Sequence, residues 1–293
     1  MGSESAAAMR FAFAGIDFLS DVLDALLGEG WTLVKLFTRP CDGVYDTNDI
    51  VTARARDLKA PIQLSRITTG DLARLNGLEC DALVVAGYPW LVREWQEHVP
   101  YGFNVHPSPL PMGRGPYPLF RAILSDQTIW GVTAHVLDPS FDTGAILGQE
   151  IFPLTPDETH DSLLAKCQMA SSRLSRRLAH GLPRAWAEAQ PQGEGSYWPR
   201  ISDPERTIDW TGTVAEVMRV IRALGSIETI GTISGKQFYV RAATGWTEAH
   251  GYAPGTLVHA YRRHLVVAVR DGFVQVTGWR PVGGTTYVWN GDR

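Results

Sequence analysis

Asn104 and His106 stand two residues apart in the run GFNVHPSPLP, and Asp142 lies further on in LDPSFDTG. Side chains alternate along an extended strand, so two polar groups at that spacing face one side. A histidine accepts or donates a proton near neutral pH. An asparagine amide can hold a developing oxyanion, and a carboxylate can orient the imidazole or raise its basicity. The three together have the composition of an acid–base site with an oxyanion donor. Each also has an ordinary reading. A strand histidine is commonly a packed core residue, an asparagine before a turn often bridges backbone, and Asp-x-Gly turns occur in any protein.

A rigid frame must present such groups. RFAFAGI (10–16) is a short apolar run ending at a glycine, the pattern of a buried parallel strand. A helix with Val22, Leu23, Leu26 and Leu27 follows and stops at Gly28 and Gly30. Strands are expected over 31–40 and from 60–62, helices over 49–59 and 69–77, and the clearest buried strand over 80–88. A strand over 102–111 runs into Pro107, Pro109 and Pro111. A helix over 118–126, strands over 130–138 and 145–154, and a long amphipathic helix over 158–180 ended by Gly181 follow. The alternation predicts an α/β fold with a doubly wound parallel, Rossmann-like sheet, and puts the three polar residues outside its strand C-termini. Residues 188–207 are rich in Pro, Gly, Ser and charge and read as a linker. Beyond it come a helix over 214–224 and the short strands KQFYVRAA, GTLVHAY, HLVVAV and GFVQVTGW, which suggest a small β-barrel or sandwich. The expected division is a domain over 9–187, a linker over 188–207, and a smaller β-rich domain over 208–293.

Composition narrows the function. The chain has 293 residues, 44% hydrophobic and 20% charged, which excludes a disordered, collagen-like or coiled-coil protein. Its net charge of −4 lacks the basic excess of a dedicated nucleic-acid binder. No apolar stretch approaches the length of a membrane span. The opening MGSESAAAMR has no signal-peptide core; Met9 is the expected natural start. Cys41, Cys80 and Cys167 are too widely spaced for a zinc site or a disulfide framework, so a reducing, cytoplasmic setting and no metal are expected. AGIDFLSD offers one glycine where a dinucleotide turn needs three, and no GKS or GKT loop occurs.

Two longer strings sharpen the reading. FNVHPSPLPMGRGPYPLFRAI and GVTAHVLDPSFDTGAIL resemble the signature stretches of the 10-formyltetrahydrofolate-dependent formyltransferases. That family includes enzymes acting on methionyl-tRNA, on glycinamide ribonucleotide and on amino sugars. The similarity runs through most of 10–185, and PRISDPERTIDWTGTVAEVMRVIRAL more loosely resembles the start of the C-terminal domain of the methionyl-tRNA branch. The resemblance implies that Asn104, His106 and Asp142 are the catalytic three and that 10-formyltetrahydrofolate is the donor, with no metal. It implies a pterin cleft between Tyr88, Pro89, Trp90 and Leu91 on one loop and Asp138, Phe141, Asp142 and Gly144 on another. The turn Pro107–Pro111, with Ser108 and Leu110, would wall it, and it fits the smaller C-terminal domain to an OB-like barrel.

The acceptor amine divides the family. The methionyl-tRNA branch carries a basic loop after the second strand. Here RPCDGVYDTNDIVTARAR (39–56) has Asp42, Asp46 and Asp49 and no cation between Arg39 and Arg54. Phosphate contacts need cations. Residues 204–293 hold ten Lys/Arg against seven Asp/Glu, a weak excess, with Arg262 and Arg263 the one adjacent pair. GSIETIGT also lacks the Trp-Pro-Gly pattern of that branch. A small-molecule amine is therefore expected, on an amino-sugar nucleotide or an amino-acid or siderophore precursor. Initiator methionyl-tRNA is the alternative. A non-catalytic folate-binding module is a distant third, since such a module would be expected to have lost one of the three.

Overall fold

A computed structural model describes residues 8–43 and 46–284. The residues before Met9, the expected natural start, lie outside the described ones except for Ala8, as do residues 285–293. The chain divides into two compact units. The first takes residues 1–118, 129–153 and 164–199, and the second takes 119–128, 154–163 and 200–293.

The first unit is built on a seven-stranded sheet of order β3-β2-β1-β4-β5-β6-β7. Its strands are β1 (Arg10–Gly15), β2 (Thr32–Phe37), β3 (Ile62–Gln63), β4 (Ala82–Ala86), β5 (Tyr101–His106), β6 (Ile129–Val136) and β7 (Ile146–Pro153). Strands β3 through β5 are parallel. Helices α1 (Ser20–Gly28), α2 (Asp49–Asp57) and α3 (Thr69–Gly77) make the crossovers, and α4 (Pro118–Leu124) precedes β6. Strand β4 is buried at every position, as its unbroken apolar run requires of a strand covered on both faces. Gly15 ends β1 where an added Cβ would meet the Ala86 carbonyl at 2.3 Å, so only glycine lets the two central strands close up there.

The sheet is not parallel throughout. β6 pairs antiparallel with β5, and β7 antiparallel with β6. The loop over 137–145 is too short for the dozen or more residues of a parallel crossover, so β7 has to return beside β6. The long helix also differs from its sequence reading. α5 (His160–Ala187) breaks at Gly181, with φ −140° and ψ 20°, and resumes through Pro183 for a further turn. Pro183 sits in the first turn of the resumed helix, where a missing N–H costs nothing.

The second unit holds α6 (Val214–Leu224) and an antiparallel sheet of order β10-β11-β12-β9-β8. Its strands are β8 (Thr229–Ile233), β9 (Lys236–Thr247), β10 (Leu257–Tyr261), β11 (His264–Val269) and β12 (Gly272–Pro281). Strand β8 has no counterpart in the sequence reading; Gly231 in its middle hides its periodicity. Thr213 and Glu216 form a capping box at the start of α6, which places Val217 and Ile221 against Phe238, Val240, Val267 and Val276. The stretch read as a linker is held at both ends. Gln190 exchanges hydrogen bonds with Ile146 of the first unit, and Ile208 donates to the Ile230 carbonyl of the second.

Candidate active site

β5 ends on the apolar alternation Phe103, Val105 with Asn104 and His106 between, so the two polar side chains share a face. In the antiparallel register Asn104 is opposite His135 and His106 opposite Thr133. His135 therefore joins the same face from β6. Asp142 arrives differently from the sequence expectation. β6 runs opposite to β5, so the loop after it does not leave from the C-terminal edge of the parallel strands. It doubles back instead, with Gly144 pressed so close to β6 that an added Cβ would overlap the Val136 carbonyl at 1.8 Å. Asp142 itself takes a left-handed backbone, φ 59°.

These turns bring the three predicted residues together. Asn104 Nδ2 donates to Asp142 Oδ1 at 3.3 Å, and His106 Nδ1 lies 3.4 Å from the same oxygen. His135 Nε2 is 3.1 Å from Asn104 Nδ2 and 3.5 Å from Asp142 Oδ1. The Gly115 N–H donates to Asp142 Oδ2 at 2.9 Å. Hydrogen-bond logic assigns the protons. His135 Nδ1 faces the Val136 carbonyl at 2.9 Å, so it carries the hydrogen and Nε2 accepts from Asn104. His106 Nε2 faces the Gly113 carbonyl at 2.9 Å and likewise carries a hydrogen, which leaves Nδ1 directed at the carboxylate.

The charges are set by burial and by each other. His106 and Asp142 are buried, while Asn104 is half-exposed. Burial pushes the His106 imidazole below the usual histidine range, and the Asp142 carboxylate and Gly113 carbonyl only partly oppose it. Burial alone would raise Asp142. When the imidazoles are protonated, the His106 charge, the hydrogen bond and charge of His135 and the Gly115 N–H outweigh it and hold the carboxyl well below the usual range. The site at neutral pH is a carboxylate beside a neutral imidazole whose Nδ1 can take a proton. A proton there would be stabilised by the carboxylate 3.4 Å away.

The predicted cleft residues divide. Pro89 and Phe141 are exposed, and Trp90, Leu91 and Asp138 are half-buried, so these can line a cleft. Trp90 and Leu137 pack on one core cluster, which ties the two loops to a common base. Tyr88, Pro107, Ser108, Leu110 and Gly144 are buried. Tyr88 turns inward, its hydroxyl accepting from the Ile67 N–H at 3.0 Å, and burial pushes its pKa up to about 12. Ser108 Oγ lies enclosed beneath the turn. Leu110 is clamped by Thr133 and Gln149. These residues support the two loops and the turn from within. Sequence reading missed His135 and Gly115. His135 had a signal in retrospect: with Thr133 it is a polar pair at strand spacing in an otherwise apolar run. Among the described residues no group of three or more His, Cys, Asp or Glu side chains is disposed to hold a metal ion. Cavities of about 660 Å³ and 580 Å³ lie elsewhere, the first beside Arg206 and Tyr239 and the second beside Leu174 and Arg184.

The chain resembles known proteins along most of its length. The formyl transferase family model matches residues 11–177, and the formyl transferase C-terminal domain model matches 200–290. A methionyl-tRNA formyltransferase of Halorhodospira halophila is 30% identical over 302 residues, covering 94% of this chain and 93% of its own. That of Marinobacter nauticus is 29% identical, covering 92% and 90%. Among solved structures, an N-formyltransferase from Helicobacter canadensis, in complex with folinic acid and dTDP-3-aminofucose, superposes with a TM-score of 0.68 at 18% identity, covering 94% of this chain and all of its own. HypX from Aquifex aeolicus in complex with tetrahydrofolic acid has a TM-score of 0.66 at 19% identity, covering 94% of this chain and 45% of its own.

Proposed function

The chain belongs to the formyl transferase family, and from that premise we propose that it transfers a formyl group from 10-formyltetrahydrofolate to the amine of a small molecule. The observation that carries the transfer chemistry is the convergence of Asn104 and His106 on one carboxylate oxygen of Asp142, at 3.3 Å and 3.4 Å. The surroundings fit a reduced folate. An exposed aromatic ring, Phe141, stands beside the buried carboxylate on one loop, and Pro89, Trp90 and Leu91 offer apolar surface on the other. When bound, the donor supplies the one-carbon group and the leaving nitrogen.

The protein's own groups then have distinct tasks. Asn104, the half-exposed member, offers an Nδ2 hydrogen to negative charge developing on the formyl oxygen, exchanging it from Asp142 or His135. His106 Nδ1 is the ring nitrogen not committed to a carbonyl, and it accepts the proton released by the attacking amine. Once protonated, that Nδ1–H gives the proton to the donor's leaving nitrogen, as the bond from that nitrogen to the formyl carbon breaks and the new bond to the amine is completed. Asp142 stabilises the imidazolium and fixes its orientation.

The small-molecule acceptor rests on the loop after β2. That loop leaves the C-terminal edge of the parallel strands, the edge from which the loops after β4 and β5 also leave. Its one nearby cation, Arg39, is ion-paired with Asp46, and the Asp46 N–H is tied to Asp42. Asp17 caps α2 through the N–H groups of Ile50 and Val51. The described part of the loop thus offers carboxylates and a neutralised arginine where an RNA backbone would need cations. One observation favours initiator methionyl-tRNA: relatives near 30% identity over nearly the whole chain carry that activity in their names.

Mass spectrometry with formyl-labelled 10-formyltetrahydrofolate decides between them. The panel is nucleotide-linked amino sugars, amino acids and their N-hydroxylated derivatives, and initiator methionyl-tRNA. A formylated small amine is the expected product. Label on methionyl-tRNA alone would overturn the acceptor, and no donor turnover with any amine would overturn the reaction.

A further inference from the structure

The segment after α5 does more than join two units. Gln192 stands in the stretch QPQGEGS, which composition marks as a tether, yet its amide makes four hydrogen bonds. Its Nε2 donates to the Asp142 carbonyl at 2.9 Å and to the Gly144 carbonyl at 2.8 Å. Its Oε1 accepts from Arg114 Nε at 3.1 Å and Nη2 at 2.8 Å. Two donors and two acceptor sites are the full capacity of the group, and the guanidinium fixes which end of the amide faces which loop. Around it the 193–198 backbone is laced to the same loop. Arg114 Nη2 reaches the Gly193 carbonyl, the Gly113 N–H donates to Ser196 Oγ, and the Arg114 N–H donates to the Ser196 carbonyl. At Gly115 an added Cβ would meet the Trp198 carbonyl at 2.3 Å, so the strap lies directly on the loop.

The contacts close a ring. Gln192 holds the Asp142 backbone, the Asp142 carboxylate accepts from Gly115, and Gly115 is peptide-bonded to Arg114, which binds Gln192. Asp142 needs such a hold, because a non-glycine residue at φ 59° is in a sparsely populated region and persists only when its surroundings over-determine it. We propose that Gln192 is a positioning residue: it acts through Asp142, fixing the carboxylate against Gly115 and His106 from outside the catalytic loop. The proposal takes Asp142 as the site carboxylate of the formyl-transfer reading and so rests on that reading for its kinetic consequence, though not for its geometry.

The test uses the full chain with Gln192→Ala, Gln192→Glu and Asp142→Asn, and the double variant of the first and last. Glutamate keeps the acceptor for Arg114 but turns a carboxylate oxygen toward two carbonyls, so it should be worse than alanine. The first readout is amide exchange at Gly115, which needs no substrate. Both Gln192 variants should exchange at least about tenfold faster there while melting within a few degrees of the parent. Unchanged Gly115 protection in both would overturn the proposal. The second readout is turnover of 10-formyltetrahydrofolate with hydroxylamine as surrogate amine. Gln192→Ala should lower kcat about tenfold with KM for the donor unmoved, and should add less than about twofold in the Asp142→Asn background. Equal factors in both backgrounds would mean that Gln192 acts independently of Asp142 and would also overturn the proposal. A parent with no turnover would count against the functional reading alone, and Gly115 exchange would then decide the inference by itself.

Discussion

Asp142 meets Asn104, His106, His135 and Gly115 at once, so a change there that preserves shape isolates its charge. Asp142→Asn should reduce kcat by about 10²-fold or more, with little change in KM for the donor, measured by steady-state kinetics. An equal rise in KM would assign the carboxylate to ground-state binding. His106 offers a second test through its proton. Burial lowers its pKa in the fold, and the neighbouring carboxylate partly opposes that. Its imidazole resonances should titrate below the ordinary histidine value of about 6.5, and further below in Asp142→Asn, where the opposing attraction is gone. The stability sign follows from the same direction. The folded state prefers neutral His106, so this contribution is complete above about pH 6.5 and is lost as pH falls toward the lower folded value. Urea unfolding of the parent should therefore weaken from pH 7 to pH 5 more than that of His106→Gln.

The loop over 137–145 is the element on which the site turns. It leaves an antiparallel strand and doubles back against it, and Gly144 is the point of closest approach. Gly144→Ala puts a methyl group onto backbone that cannot give way. It should cost about 3 kcal/mol or more in denaturant unfolding, and activity per folded molecule should fall as well, because Asp142 is two residues away. Gly77, exposed at the end of α3 with open space around it, is the control. Gly77→Ala should stay within about 0.5 kcal/mol of the parent. The elements best read from sequence were those with an unambiguous period or cap. α3 and α6 stand where their periodicity put them, and β4 is as buried as its apolar run required. β8 escaped because Gly231 interrupts its pattern, and α5 ran past Gly181 because Pro183 could restart it.

For the molecule as a whole, charge governs which partners approach. The net charge is −4, and the loop after β2 presents Asp42 and Asp49 with Arg39 already paired to Asp46. The basic pair at the β10–β11 turn is modest by comparison, and Arg262 stacks over the ring of Tyr261. Filter binding should find no submicromolar affinity for initiator tRNA at moderate salt. A steep loss of affinity between low and moderate salt, from a submicromolar starting point, would indicate several phosphate contacts and reverse the acceptor assignment. In the described residues no helix is long and apolar enough to cross a membrane, in keeping with the hydropathy of the sequence.

The chain's local patterns were enough for the α/β frame and the β-rich second unit, because these rest on spacing along the chain, and the two signature strings were enough for the resemblance to the family. Period two alone put Asn104 and His106 on one face. Nothing local could say that β6 runs antiparallel to β5, since that direction is settled by which partner the strand meets after folding, whereas the short 137–145 loop already turns β7 back beside β6. For the same reason His135 entered the site only through its register opposite Asn104. Tyr88, Ser108 and Leu110 lie on the loops expected to form the cleft, but whether such side chains face a cleft or the core depends on packing from other elements. Gln192 is the extreme case. Its four hydrogen bonds reach three residues 48 to 78 positions away, and a glutamine in a polar, glycine-rich stretch carries no sign of them until the backbone carbonyls of a distant loop need donors.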